Sequence, residues 1–306
     1  MIDFRYLLTT IVAVFLALAI GLLIGSGLLA DELADDLERQ VQEVIDRNNE
    51  LRTQINEQQG RIDAADEFAL QLEPSLIEGE LSRDSIVLFR FEGTDGALLD
   101  RVREAVQLAD GSIATTVTIS DRMSMEDASA AAELRADLPR ALEGEGNLAR
   151  LIGRELGTRA AGDAAGFAGD PLFGEIDAAL VEHGFIDIET DRDFAIPLSA
   201  GFVVAAGAEG DAPFDLQVFS QALLGGLASE DGEVVAVEGW TSDWDFVPTL
   251  RDSDIREVVA TVDHGDTVAG SVSMVFELSR AAGDEPGHYG FRDGSDGIAP
   301  ESPQED

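Results

Sequence analysis

The chain contains 306 residues, and its 61 acidic and 20 basic residues give a formal net charge of −41. A surface this acidic repels phosphate backbones, so we exclude nucleic acid as an expected partner. Adaptation to concentrated salt explains the charge most simply, although the surface would also attract divalent cations or a basic protein. The sequence has no cysteine, which excludes disulfides, thiolate metal sites and catalysis by a cysteine nucleophile.

The first predicted element is a membrane anchor. The mean hydropathy of the whole chain is only +0.02, yet residues 7–29 contain no charged side chain. This run is long enough to cross a hydrocarbon core of about 30 Å. A cleaved signal peptide is the alternative, but the run is longer than a usual signal-peptide core. Arg5 precedes the run and acidic residues follow it, so we predict for residues 1–30 a short cytoplasmic N-terminus and a transmembrane helix, with the body outside the cytoplasm.

Small residues recur every four positions within this segment, at Ala17, Gly21 and Gly25. Such a stripe lets two membrane helices approach closely, so these residues are candidates for a helix contact face. Glycine is common in membrane helices, and coincidence is an equally good explanation.

A heptad pattern follows the anchor and predicts a coiled-coil stalk over residues 31–68. β-Branched residues at one seam position, with leucine and valine at the other, favour a parallel homodimer, and a polar seam residue would fix the register. An ordinary amphipathic helix is the weaker alternative. The predicted seam consists of Leu37, Val41, Val44, Asn48, Leu51, Ile55 and Ile62.

Short β-branched runs then alternate with helical periods, which predicts an α/β domain over residues 69–283. We expect a mostly parallel sheet in a Rossmann-like three-layer arrangement. The acidic, Gly- and Pro-containing segment 284–306 has the composition of a disordered tail. The predicted strands cover residues 85–91, 112–119, 185–189, 201–207, 233–238 and 258–263.

The sequence offers few candidates for chemistry. No nucleotide-binding glycine loop or acid–base constellation can be assigned, so we do not predict an enzyme, and no cofactor is certain. Asp263 and His264 could contribute to a cation site, although these residue types are also favoured in turns. Met123 and Met125 are the one soft-ligand pair that Cu(I) could use, and the alternative is a plain loop before a helix.

Five stretches, taken in order, are similar to one known family. They are residues 1–6 (MIDFRY), 13–21 (AVFLALAIG), 81–89 (LSRDSIVLF), 262–267 (VDHGDT) with Gly270, and 287–290 (GHYG). The chain resembles the mycobacterial copper transport protein B (MctB) family from its first residue to about residue 290. The resemblance implies a role in copper homeostasis or efflux, copper as a possible bound ion, and a place in the outer envelope. It carries no catalytic or metal residue onto a numbered position.

The same resemblance implies an alternative function. Related actinobacterial proteins are associated with cell separation, as coiled-coil envelope factors that help to control peptidoglycan hydrolases. A dimeric stalk with a distal body suits a scaffold that holds an envelope or septal partner at a set height above the membrane. We therefore carry two hypotheses, a metal-handling envelope protein and a regulatory scaffold.

Overall fold

The computed structural model describes residues 4–82, 84–138, 147–162, 175–190, 200–230, 233–280 and 284–300, without the side chains of residues 4, 26–35, 175, 200 and 230. The chain divides into two compact units, Met1–Glu67 and Phe68–Asp306. We call the second unit the body. Between residues 139 and 174 the structure describes only residues 147–162, of which Leu148–Gly162 form a helix.

The first unit is built from α1, which runs over Phe4–Ile77 and so ends inside the body. Its part Arg5–Gly25 is long and apolar enough to cross a membrane, judged by length and composition, and none of it is buried. Exposed apolar side chains continue further along α1. They include Leu37, Val41, Val44, Leu51, Ile55 and Ile62.

The body contains a sheet and further helices in alternation. The strands are β1 (Ser85–Phe91), β2 (Ser112–Ile119), β3 (Ile186–Thr190), β4 (Ala200–Ala206), β5 (Val234–Glu238), β6 (Ala260–Val262) and β7 (His288–Tyr289). The helices are α2 (Gly96–Leu108), α3 (Ala128–Asp137), α4 (Leu148–Gly162), α5 (Glu175–Glu182), α6 (Leu216–Leu227), α7 (Phe246–Arg251) and α8 (Val268–Leu278).

The seven strands form one sheet in the order β3-β2-β1-β4-β5-β6-β7. Every neighbouring pair is parallel except β2 and β3, which are antiparallel. The prediction of a mixed α/β fold with a mostly parallel sheet is therefore confirmed. The carboxyl ends of β5, β6 and β7 meet at one edge, which is where parallel sheets present side chains to a ligand.

Both faces of the sheet are buried, which explains why its strands contain continuous apolar runs. Val87, Phe89 and Phe91 of β1 belong to one hydrophobic cluster, together with residues of helices α3 to α7. Ile86 and Leu88 of the same strand belong to a second cluster, which includes residues of α2 and α8. Alternate side chains of one strand thus enter the two clusters.

The last turns of α1 are fastened to the second cluster. Ile77 is fully buried there. The Glu73 side chain is 1% exposed, pairs with the Arg101 guanidinium of α2, and accepts a hydrogen bond of 2.5 Å from the Ser271 hydroxyl of α8. Removing one member of such a buried pair is costly, so these contacts hold the end of α1 at a fixed place on the body.

Helices α4 and α6 approach each other at glycines. A Cβ atom added at Gly153 would lie 2.7 Å from the Phe219 carbonyl oxygen, and one at Gly157 would overlap the Leu223 carbonyl. Gly226 on α6 faces the backbone of α4 in the same way. Only glycine allows two helix backbones to pack at this distance.

The segment that follows α8 differs from the sequence-based prediction. We predicted a disordered tail from residue 284, but β7 pairs with β6 in the sheet and His288 is 3% exposed. The His288 amide donates to the Asp296 carboxylate at 3.1 Å, and the Tyr289 carbonyl accepts from Arg251 at 2.8 Å. Composition was misleading here because an acidic side chain accepts backbone hydrogen bonds of this segment. Residues 301–306 lie outside the described part of the chain.

Candidate functional site

Two places in the body combine polar or soft side chains. The first is a set of four charged residues at the carboxyl ends of β5, β6 and β7, which we call the carboxyl-edge network: Glu238, Arg251, Asp263 and Arg292. The second is an open cavity between α3, α4 and α6, which we call the methionine cavity because Met123 and Met125 line it.

The centre of the carboxyl-edge network is the ion pair between Arg251 of α7 and Asp263. Both side chains are fully buried, and Arg251 Nη1 lies 2.6 Å from Asp263 Oδ2. The Asp263 carboxylate also accepts hydrogen bonds from the backbone amides of Phe291 at 2.8 Å and Arg292 at 3.1 Å. Arg251 further donates to the Thr261 hydroxyl at 2.9 Å. A buried charge requires this degree of pairing, so the arrangement holds the 288–293 segment against β6.

Glu238, the last residue of β5, is the second buried carboxylate of the network. It accepts the Ser242 hydroxyl at 2.6 Å and the Val247 amide at 2.9 Å, and the Arg292 guanidinium lies 3.2 Å away. Burial raises the pKa of Glu238 above its ordinary value, and the hydrogen bonds from Ser242 and Val247 and the charge of Arg292 oppose that shift. Glu238 therefore fastens the loop that follows β5 to the start of α7.

His264 is fully buried behind an aromatic pair. Its ring lies 5.1 Å from the Phe291 ring, which in turn contacts Trp240 edge-on at 4.4 Å. Neither ring nitrogen makes a hydrogen bond of normal geometry to any described residue. Burial lowers the pKa of His264, and the Asp263 carboxylate and the Ile298 backbone oppose that shift. Burial of the ring thus favours its neutral form.

Close packing explains why glycine occupies two positions of the 262–270 segment. A Cβ atom at Gly265 would overlap the Val237 side chain, and one at Gly270 would overlap the His264 carbonyl. The Thr267 hydroxyl accepts the Gly270 amide at 3.1 Å and so caps the start of α8. This segment therefore lets β6, β5 and α8 meet closely.

The Asp263 oxygens are occupied by the ion pair and the amide hydrogen bonds that stabilise the fold. Across the ranges that the structure describes, no group of three or more His, Cys, Asp or Glu side chains is arranged to hold a metal ion. The hypothesis that Asp263 and His264 bind a cation gains no support from this geometry, and it stays a prediction.

The methionine cavity has a volume of about 560 Å³ and opens to solvent. Met123 lies in the short 3₁₀ helix Asp121–Ser124 and is 1% exposed, whereas Met125 is partly buried and adopts a left-handed backbone conformation with φ of 59°. Both methionines line the same cavity. Polar lining residues come from distant parts of the chain, namely Arg135, Asn147 and Asp215.

A buried carboxylate lies on the same face of the sheet as the methionine cavity. Asp177 of α5 has no exposed surface, and neither of its oxygens has a hydrogen-bond partner among the described residues. Burial raises the pKa of Asp177 to about 6, although the charge of Arg159 on α4 opposes the shift. Burial thus favours the protonated form of Asp177 to a higher pH than that of an exposed aspartate.

Comparison with known proteins shows one family along nearly the whole chain. Residues 1–300 match the family described as "Copper transport outer membrane protein, MctB". The chain belongs to the MctB family. Proteins named "Copper transporter MctB" from Mycobacterium bovis and Mycobacterium tuberculosis are 27% identical to this chain over an alignment 322 positions long, gaps included. The alignment covers 96% of this chain and 98% of each relative. The Mycobacterium leprae protein of that name is also 27% identical, with 97% of this chain and 99% of the relative covered.

The family match confirms the resemblance inferred from the sequence. Among its motifs, the 262–267 segment forms part of the carboxyl-edge network, and the 287–290 segment contains β7. Those two MctB motifs thus meet at a single edge of the sheet. The MctB family description and the apolar helix Arg5–Gly25 both fit a location in a membrane or envelope.

The remaining predicted residues lie on α1, in the first unit of the chain. The seam residues, including Asn48, are exposed, and no atom lies within 4 Å of a Cβ added at Gly21 or Gly25. Ala17 is exposed on the same helix. These positions are open to a partner helix, and their proposed contacts stay predictions.

Sequence reasoning missed most of the cavity lining. Arg135 belongs to α3, Asn147 precedes α4, and Phe214 and Asp215 precede α6. Only Asp215 carried a signal, because an aspartate immediately before an apolar periodic run is typical of a helix cap. Its carboxylate does accept the Gln217 amide at 3.1 Å. The other residues become neighbours only through the fold.

Proposed function

We propose that this chain binds Cu(I) as cargo in the methionine cavity and serves copper transport or homeostasis in the cell envelope. The observation that carries the proposal is that both methionines of the predicted soft-ligand pair line one solvent-open cavity. Membership of the MctB family and relatives named "Copper transporter MctB" support copper as the cargo.

The chemistry of the lining suits a monovalent soft ion. Thioethers prefer Cu(I) over hard divalent cations, and the sequence has no thiolate that would compete for it. The chain has four methionines. Met274 is buried in the second hydrophobic cluster, and Met1 lies outside the described residues. Two thioethers leave the coordination shell incomplete, which suits an ion that must be passed on.

The proposal includes the arrangement of the whole chain. Residues 1–30 anchor it in a membrane with the N-terminus inside, residues 31–68 pair with a second copy as a parallel coiled coil, and the body is a Rossmann-like three-layer domain with a non-catalytic role. The exposed apolar stripe on α1 supports the paired coil, and the strand order of the sheet supports the Rossmann-like domain. No observation on the described residues favours the peptidoglycan-hydrolase scaffold, which stays a prediction from the resemblance.

Anaerobic Cu(I) titration of the detergent-solubilised full chain against a chromogenic chelator tests the cargo site. We expect saturable binding that magnesium does not affect and that the double variant Met123→Leu/Met125→Leu loses. Leucine replaces methionine with little change in volume, so the variant should keep the fold. Met274→Leu is the matched control, because it removes a thioether that lies outside the cavity, and it should bind normally.

Two results would contradict the proposal. A wild-type chain that never competes with the chelator would show that the body does not hold Cu(I). Binding that survives in the double variant would place the ion elsewhere in the chain.

A further inference from the structure

The last turns of α1, inside the body, carry an apolar stripe that the body does not cover. Phe68, Leu72 and Leu76 are 62%, 43% and 50% exposed. They are spaced by four residues and therefore lie along one side of the helix. Single exposed leucines are common on proteins, but three aligned on one helix face usually indicate a contact.

The stripe cannot be buried by rotating the helix. Glu73 and Ile77, which lie on an adjacent face, are buried at 1% and 0% exposure. The bonds from Glu73 to Arg101 and Ser271 fix the rotation of this part of α1 on the body. No other residue that the structure describes covers Leu72 and Leu76, which leaves their exposed sides free for another molecule.

The heptad positions of Leu72 and Leu76 indicate which molecule contacts them. Leu72 follows Leu51 by three heptads, and Leu76 follows Ile62 by two heptads. Both therefore occupy the two seam positions of the predicted coil, although the heptad prediction ended at residue 68. A seam that continues in the same register is completed by the same residues of an identical helix.

We propose that Leu72 and Leu76 pack against Leu72 and Leu76 of a second copy of this chain, so that the two bodies are held side by side at the end of α1. The inference rests on the proposed parallel dimer and extends it into the body. A dimer seam that stopped before residue 68 would leave the bodies free to separate, whereas this contact orients each body toward its partner.

Cysteine cross-linking tests the contact, because the natural chain has no cysteine. Single variants Leu72→Cys and Leu76→Cys are made in the full chain in detergent micelles, with Leu51→Cys as the reference for the stalk. The exposed residues Gln71 and Ser75 provide the matched controls Gln71→Cys and Ser75→Cys, one residue away on the same turns. Diamide is the oxidant, so that no copper reagent can occupy the proposed Cu(I) site during the experiment.

We expect Leu72→Cys and Leu76→Cys to form disulfide-linked dimers at about the rate of Leu51→Cys, and roughly tenfold faster than the two controls, because a disulfide requires Cβ atoms about 4 Å apart. Rapid cross-linking of Leu51→Cys alone would overturn the inference while leaving the dimeric stalk intact. If none of the three seam variants cross-links faster than the controls, the proposed dimer itself is wrong. Mixing two lengths of chain identifies the partner, since a second copy gives a dimer of intermediate size.

Discussion

The carboxyl-edge network and the face that carries the methionine cavity differ in whether their buried carboxylates have hydrogen-bond partners. In the network, Asp263 and Glu238 are each surrounded by donors, with a guanidinium and backbone amides at hydrogen-bond distance. On the cavity face, Asp177 is buried without a hydrogen-bond partner among the described residues, and the cavity itself stays open. The segment whose residue types most resemble a ligand site therefore stabilises the fold. The less conspicuous methionine pair lies where a ligand can enter.

The largest effect is expected from breaking the buried pair of the network. Asp263→Ala leaves the Arg251 guanidinium buried without its counter-charge and removes the acceptor of two backbone amides. We expect the free energy of unfolding to fall by about 3–5 kcal/mol. Urea denaturation followed by tryptophan fluorescence measures the loss, because Trp240 and Trp244 both follow β5.

Asp293→Asn is the control for that variant, since Asp293 is exposed and lies in the same segment. It should change stability by less than about 0.5 kcal/mol. Cu(I) stoichiometry of the folded Asp263→Ala protein should equal that of the natural chain. Loss of Cu(I) binding without loss of stability would reverse the comparison and make Asp263 a ligand.

A smaller and pH-dependent effect is expected at Asp177. Burial raises its pKa from 3.8 to about 6, so the folded state favours the protonated form. The stability associated with that proton is fully present below pH 3.8 and is lost as the pH rises through about 6. Asp177→Asn stays neutral and should therefore be more stable than the natural chain at pH 7.5, by about 1–3 kcal/mol.

The measurement is a pair of melting curves for both proteins at pH 4 and pH 7.5. The two midpoints should be similar at pH 4 and should separate at pH 7.5, with the variant higher. A natural chain that is the more stable one at pH 7.5 would mean that the Asp177 carboxylate has a bonding partner. The cavity face would then resemble the network after all.

The smallest effect is expected from Phe291→Ala. Phe291 contacts both Trp240 and His264 edge-on, but it is 51% exposed, so truncation should cost only about 1 kcal/mol. Urea denaturation provides the value for direct comparison with Asp263→Ala. Equal losses for the two variants would show that aromatic packing, rather than the ion pair, stabilises this edge of the sheet.

Much of the fold could be predicted from periodicity. The predicted strands 85–91 and 112–119 match β1 and β2 residue for residue, because buried parallel strands show as apolar β-branched runs. The pattern could not show that β3 runs antiparallel to β2, since strand direction depends on how the chain returns. It also could not show β7, because two residues within an acidic segment carry no periodic signal.

The candidate site was less predictable, for a different reason. Met123 and Met125 were visible as a pair because they are two residues apart. The cavity around them also needs α4 and α6, and residue types alone do not show which helices become neighbours. Asp263 was visible too, but its partner Arg251 precedes it by 12 residues, with a short 3₁₀ helix and β6 between them, so its function in the fold could be recognised only from the structure.

The glycines between α4 and α6 make those two helices a single wall of the methionine cavity. Leu148 and Ala149 line it from α4, and Val218 and Phe219 line it from α6. With backbones in direct contact at Gly153, Gly157 and Gly226, neither helix can slide or tilt independently of the other. Any change in the width of the cavity must therefore come from movement of α3 or of the turn that carries Met123 and Met125, and not from α4 moving against α6.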